Sequence, residues 1–399
     1  MPASKVVSLI ATFADNRSRS LCTTFDPSLA FSLTISSCRA RLKFMARFTS
    51  ALLKPWASNL WEIATVLKAG VKEESNYRRI RRFLSDYEVG FAELGRLLTR
   101  LLPQRPPYKA VLDRTEWYFG ETPVNVLMLG IAHNGIAFPV SWTVLPSGGS
   151  SSAEDHRRTL RRFFEIVDPQ DIVDPEDIEV VLGDREFIST GWLRWLQDRE
   201  IPFAVRLRSD RRIGLSPEGP SLPARMFARP LSAHTEKVLD GTRHLFGTDG
   251  KHVEVQVVMR RIAARSSGED QFLILATSGL DPDKATALYE QRWEILALFA
   301  ALKSRGHRLE KTHLTEPDRI QRLIGLLGLA FAWTHLVGER RANREGPPRK
   351  KSHGRRQRSL FRYGLDRLRK ILASPEPMPA AFFDYLRGLR SPTAFLSCT

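Results

Sequence analysis

The sequence predicts an α/β protein with a strand-rich middle between helical N-terminal and C-terminal regions. Three observations carry that expectation. Residues 50–102 keep a helical period, residues 109–207 alternate apolar strand runs with amphipathic helices, and residues 284–372 return to helix.

In the first region Trp61, Ala64 and Leu67 recur at helical spacing, as do Phe91, Leu94, Leu97, Leu98 and Leu101. Between them Tyr77, Arg78, Arg79, Arg81 and Arg82 make a basic, aromatic-bearing segment, suited either to DNA or to a solvated helix face. Residues 103–107, rich in proline, punctuate the chain. Strand texture then begins at Lys109. Residues 124–132 and 136–145 are apolar runs split by Asn134-Gly135, a hairpin turn signal. A Gly/Ser loop at 147–152 precedes an amphipathic helix at 155–167. A short apolar strand at 178–182 ends on Gly183-Asp184, and a helix at 187–199 leads to another strand at 202–207.

Residues 208–270 interrupt this order with Pro- and Gly-rich sequence and one strand at 253–259. A strand at 271–277 follows, then an unbroken helix over 284–303 and an apolar helix over 319–337. The longest apolar stretch, 323–333, is too short to cross a bilayer and abuts Arg322, so it reads as a buried helix. Residues 340–358 are dense in Arg and Lys around Gly346-Pro347-Pro348 and read as a mobile basic loop, with a last helix at 361–372. Residues 1–44, rich in Ser and Thr, read as a poorly ordered extension with Met45 as the natural start. Val6–Ala14 after Lys5 has the outline of a signal-peptide apolar segment, but export sits poorly with the chain's charge.

That charge is strongly positive. Lys and Arg number 61 against 44 Asp and Glu, a formal net charge of +17. Such a balance points to a polyanionic partner, nucleic acid before an acidic membrane surface. Cys22, Cys38 and Cys398 form neither a CxxC pair nor a disulfide framework, which suits a reducing compartment. The nine histidines are scattered without zinc-ligand spacing.

Two acids stand at strand ends. Asp113 follows Ala110-Val111-Leu112, and Asp184 follows Val180-Val181-Leu182-Gly183. An aspartate beside a buried strand is costly unless it is paired or binds a cation. Two on neighbouring strands can hold Mg²⁺, which takes a few carboxylates and several waters. Either one alone reads more readily as a strand-ending turn residue.

Asp113-Arg114-Thr115 with Trp117, Asp184-Arg185-Glu186-Phe187, and Tyr289-Glu290-Gln291-Arg292-Trp293 running to Lys303 form an ordered set. The set resembles the bacterial insertion-sequence DDE transposases whose third motif carries Tyr, Arg, Glu and Lys. Ile201-Pro202-Phe203, Arg206-Leu207-Arg208 and the stretch from Leu309 to Leu314 resemble the same family, and the resemblance runs from about Ala46 to Leu372. It implies a ribonuclease H-like mixed-sheet core with a β-rich insertion. The corresponding divisions are an extension at 1–44, a helical DNA-binding domain at 45–105, a catalytic core at 106–207 and 271–316, the insertion at 208–270, and a helical C-terminal region with the basic loop at 317–399. It also implies cleavage and strand transfer at element ends and on target DNA. Mg²⁺, with Mn²⁺ as the alternative, would be held by Asp113 and Asp184. Tyr289, Arg292, Lys303 and Arg185 would contact DNA. A homodimer on double-stranded DNA, no membrane, and a cytoplasmic, nucleoid-associated place in a bacterium complete the expectation.

One position departs from the family. On an unbroken helix, at 100° per residue, 289, 292, 296 and 303 share a face. The family's catalytic Glu belongs on that face four residues after the Arg, where this chain has Leu296. Glu294 and Glu290 fall on other faces. Two functions therefore stand at this point: an active DDE transposase, or a transposase-derived DNA-binding protein without catalysis.

Overall fold

The structure is a computed structural model. It describes residues 39–54, 58–68, 70–86, 91–166, 174–247, 250–262, 272–352 and 356–373. The three cysteines, the Val6–Ala14 stretch and Met1 to Cys38 lie outside the described residues. The chain divides into two compact units, 1–104 with 118–122 and 299–399, and 105–117 with 123–298.

The first unit is helical. Its described helices are Arg39–Ala51, Leu60–Leu67, Glu73–Asp86, Phe91–Arg100, Pro317–Glu345 and Leu360–Ala373. The first begins inside the segment expected to be poorly ordered, because Phe48, Ala51 and Leu52 bury an apolar face. Asn59 caps Leu60–Leu67 by accepting from the Trp61 amide at 2.9 Å, which satisfies a donor the helix itself leaves open. Glu73–Asp86 buries Asn76, Ile80, Phe83 and Leu84 and turns Arg78, Arg79, Arg81 and Arg82 to solvent. Exposed Trp61 meets Tyr77 edge-on at 5.5 Å.

Pro317–Glu345 spans 29 residues, longer than the apolar run suggested. By length and composition alone it passes as a membrane span, yet 89% of its apolar window is buried within the fold. It also absorbs residues 340–345 of the expected basic loop. Arg341 pairs with Glu345 one turn on, at 2.6 Å, and stacks over Tyr363 at 3.8 Å. Lys350 and Arg356 form a bridge beyond it. Residues 353–355 of that loop lie outside the described residues.

The second unit holds the sheet. Its strands are β1 (Tyr108–Phe119), β2 (Thr122–His133), β3 (Ile136–Leu145), β4 (Ile178–Gly183), β5 (Phe203–Arg206), β6 (Arg212–Gly214), β7 (Ser221–Pro223), β8 (Glu236–Val238), β9 (Arg243–Phe246), β10 (His252–Arg261) and β11 (Phe272–Ser278). They form one path, β3-β2-β1-β4-β5-β11-β10-β9-β6-β7, with β8 on β10. β1, β4 and β5 run parallel, while β2–β3, β5–β11 and β10–β11 are antiparallel. This is the mixed, ribonuclease H-like sheet that the resemblance implied, with the β-rich insertion continuing it rather than standing apart. Asn134 and Gly135 both take positive φ, 51° and 87°, as a two-residue hairpin turn between β2 and β3 requires.

Helices Ala153–Ile166 and Thr190–Gln197 pack with the sheet through Leu160, Phe163, Trp192, Leu193 and Leu196. The first opens with a reciprocal cap. The Ser152 amide donates to Asp155 at 3.0 Å, and the Asp155 amide donates to Ser152 Oγ at 3.2 Å.

The expected unbroken helix over 284–303 is not one helix. Pro282–Glu290 gives way to a 3₁₀ turn, Gln291–Trp293, followed by Glu294–Ala300 and a π turn, Ala301–Arg305. Three residues wound at three per turn advance about 60° further than in an α-helix. The single helical face expected for 289, 292, 296 and 303 is therefore re-registered across the 3₁₀ turn and again at the π turn.

Candidate active site

Parallel pairing of β1 with β4 sets Leu112 opposite Gly183, so the next residues, Asp113 and Asp184, stand side by side. Gly183 permits the sharp exit after β4. A Cβ there would lie 2.9 Å from Phe187 Cβ, since the 3₁₀ turn Arg185–Phe187 folds buried Phe187 back against it.

Arg292 reaches this pair from the 3₁₀ turn between the two helices. Its Nη1 lies 3.1 Å from Asp113 Oδ2 and 3.9 Å from Asp184 Oδ2. The Arg114 amide donates to Asp113 Oδ1 at 2.7 Å. Burial still pushes Asp113 up to about 6, against the lowering pull of that amide and of Arg292. Asp184 Oδ1 is buried with no hydrogen-bond partner. Tyr289, itself buried, packs its ring 5.7 Å from the Arg292 guanidinium.

A buried, unpartnered carboxylate oxygen beside a second carboxylate suits a hard divalent cation, with water completing its shell. Among the described residues no group of three or more His, Cys, Asp or Glu is arranged to hold a metal. The nearest acids in sequence are committed elsewhere. Glu294 is buried and accepts from the Gly135 amide at 3.0 Å, at the β2–β3 turn. Glu290 pairs with Arg260 of β10 at 2.9 Å. Leu296 is 47% exposed, as is its neighbour Trp293 at 55%.

Sequence reasoning missed a second polar cluster in the same unit. Arg114 Nε donates to both Glu186 oxygens, at 3.0 and 3.1 Å, and its Nη1 to Glu116 and Asn125, at 3.0 and 3.1 Å. Ser151 donates to Glu186 through its amide at 3.0 Å and its hydroxyl at 2.6 Å. Asn125 Nδ2 holds the carbonyls of Ser147 and Gly149. The Gly/Ser loop is thus tied to Arg114, the residue after Asp113, and to Glu186, two residues after Asp184. Burial raises Glu186, but the Ser151 and Arg114 hydrogen bonds outweigh it and hold the carboxyl below its usual range. The signal for this cluster was present: Arg114 and Glu186 belong to the same two motifs as the aspartates.

The other two expected contacts belong to different units. Arg185 is half-buried in the turn after Asp184. Lys303 belongs to the helical unit, where it pairs with Glu310 at 3.0 Å.

The mixed sheet thus presents two aspartates from adjacent parallel strands, a carboxylate pair of a kind that could hold a divalent cation. Residues 132–333, just over half of the 399, match the family model described as a transposase DDE domain. The chain belongs to that family, and a transposase function acting on DNA follows from it; such enzymes generally use divalent metal ions. The match includes Asp184 and the 289–303 motif and starts after Asp113. No curated protein matches the chain.

Proposed function

We propose that the chain is an insertion-sequence transposase of the Tyr-Arg-Glu-Lys type that engages duplex DNA and holds Mg²⁺, or alternatively Mn²⁺, at Asp113 and Asp184, but cuts DNA slowly. The observation that carries this reading is Leu296. In the sequence an aliphatic residue takes the position of the family's third acid, four residues after Arg292, and both neighbouring glutamates have other partners.

A cation at the pair supplies positive charge against the reacting phosphate. The chain's own part is to fix the two carboxylates: β1 and β4 set their spacing, and the Arg114 amide orients Asp113. The exposed arginines of Glu73–Asp86, with Arg185 and Lys303, supply backbone contacts to DNA, and buried Tyr289 packs against Arg292. Joining two element ends calls for two sites, hence a homodimer on DNA. Binding to duplex DNA should weaken by orders of magnitude between about 50 and 200 mM salt, because neutralised phosphates release counterions. Flat affinity over that range would remove the phosphate-dominated interface.

The deciding experiment measures Mg²⁺-dependent nicking of a plasmid carrying the DNA that flanks the chain's own coding sequence. Leu296→Glu should raise the rate by about 10-fold or more, since even outer partners of a metal site carry 10–100-fold effects, while leaving DNA affinity little changed. A starting protein that already cuts at a rate the substitution does not improve would sink the slow-cutting reading. If neither protein cuts, the second reading, DNA binding without catalysis, takes its place.

A further inference from the structure

We infer that Arg292 is an internal counter-cation that occupies the aspartate pair and competes with the divalent metal for it, so that metal loading requires the guanidinium to withdraw. The inference deepens the metal-pair reading above and rests on it.

Three observations carry it. One guanidinium nitrogen sits within 3.1 Å of Asp113 and 3.9 Å of Asp184, bridging the two carboxylates as a bound cation would. The Arg292 and Asp113 side chains are each 15% exposed and that of Asp184 is 38% exposed, so the contact is partly shielded from water, and a positive charge there repels a second cation more than it would in bulk solvent. And the bridge is incomplete: Asp184 Oδ1 remains buried without a partner, so one arginine does not exhaust the coordinating capacity of the pair.

The local fold explains how the side chain gets there and how it can leave. Arg292 lies in the 3₁₀ turn Gln291–Trp293, between two α-helical segments, where i→i+3 bonding is poorer than in the flanking helices. Arginine keeps its charge at any working pH, so only displacement can free the carboxylates. A phosphate offers a guanidinium the same bidentate match as a carboxylate, which makes a DNA backbone the natural acceptor for the withdrawn side chain.

The test is Mn²⁺ binding to the full chain without DNA, followed by the electron spin resonance signal of free Mn²⁺, with melting curves to check folding. Arg292→Gln should bind Mn²⁺ at least about 10-fold more tightly than the starting protein, because a like charge has left the site. Adding Asp113→Asn to that variant should abolish the gain. Arg292→Lys, which keeps the charge, should bind no more tightly than the starting protein. If Arg292→Gln folds poorly, Arg292→Met is measured in the same way. Equal Mn²⁺ affinity in the starting and Gln proteins, lost on Asp113→Asn, overturns the competition while leaving the metal pair intact. A Lys variant that gains as much as the Gln variant also overturns it, since charge would then not be the cause. No Mn²⁺ bound by any variant removes both the competition and the metal pair.

Discussion

Two carboxylate clusters grow from the same two strand ends, and the fold treats them in opposite ways. Glu186 receives four hydrogen bonds from Ser151 and Arg114 and is held below the usual carboxylate range. Asp113 shares a single guanidinium with Asp184 and is pushed up to about 6, and one Asp184 oxygen has no partner at all. The first cluster is satisfied by the protein and fastens the Gly/Ser loop. The second is left short of donors. An unpartnered carboxylate oxygen beside a second carboxylate leaves room for a cation, which the richer network does not.

Breaking the satisfied cluster should have the largest effect on stability. Glu186→Ala leaves Arg114, 19% exposed, without its main partner, and should cost about 3 kcal/mol in denaturant unfolding. Asp113→Asn should do the reverse. The folded protein penalises this carboxylate's charge, so removing it should be neutral or stabilise by about 1–2 kcal/mol near neutral pH. If Asp113→Asn proves the more damaging of the two, the contrast between the clusters is wrong.

Acid sharpens the same comparison. His156 touches Ser151 at 2.8 Å, and burial pushes it down to about 4. As pH falls from about 6.5 the unfolded chain takes up this proton before the folded one does. Stability should therefore drop between about 6.5 and 4, by up to about 3 kcal/mol from this group. Asp113 acts with the opposite sign: its penalty is fully present above about pH 6 and fades toward pH 4. Stability against pH for His156→Gln should lose the His156 slope. An unchanged curve would show that His156 titrates normally. The smallest effect is expected of Ser151→Ala, about 1 kcal/mol, for one lost hydroxyl donor to Glu186. A loss as large as that of Glu186→Ala would mean that the loop, not the ion pair, holds the cluster together.

Much of this was legible along the chain. Asn134-Gly135 announced its hairpin because only residues that accept positive φ fit a two-residue turn. Asp113 and Asp184 announced themselves as acids placed after apolar strands. The extent of Pro317–Glu345 was less legible, since its charged end, Arg340–Glu345, resembles loop sequence and is held in helix by pairing along its own face and by Tyr363.

The sequence by itself determined the alternation of helix and strand, the two aspartates, and the absence of an acid at position 296. Each depends on residue identity and local spacing, which a linear reading captures. Only the tertiary structure decided that β1 and β4 are parallel neighbours in a register that aligns the aspartates. It alone decided that the helix breaks at Gln291–Trp293 and carries Arg292 onto them. It alone committed Glu294 to the β2–β3 turn. Those outcomes turn on which distant groups compete for the same buried charges, and no periodicity in the chain records that competition.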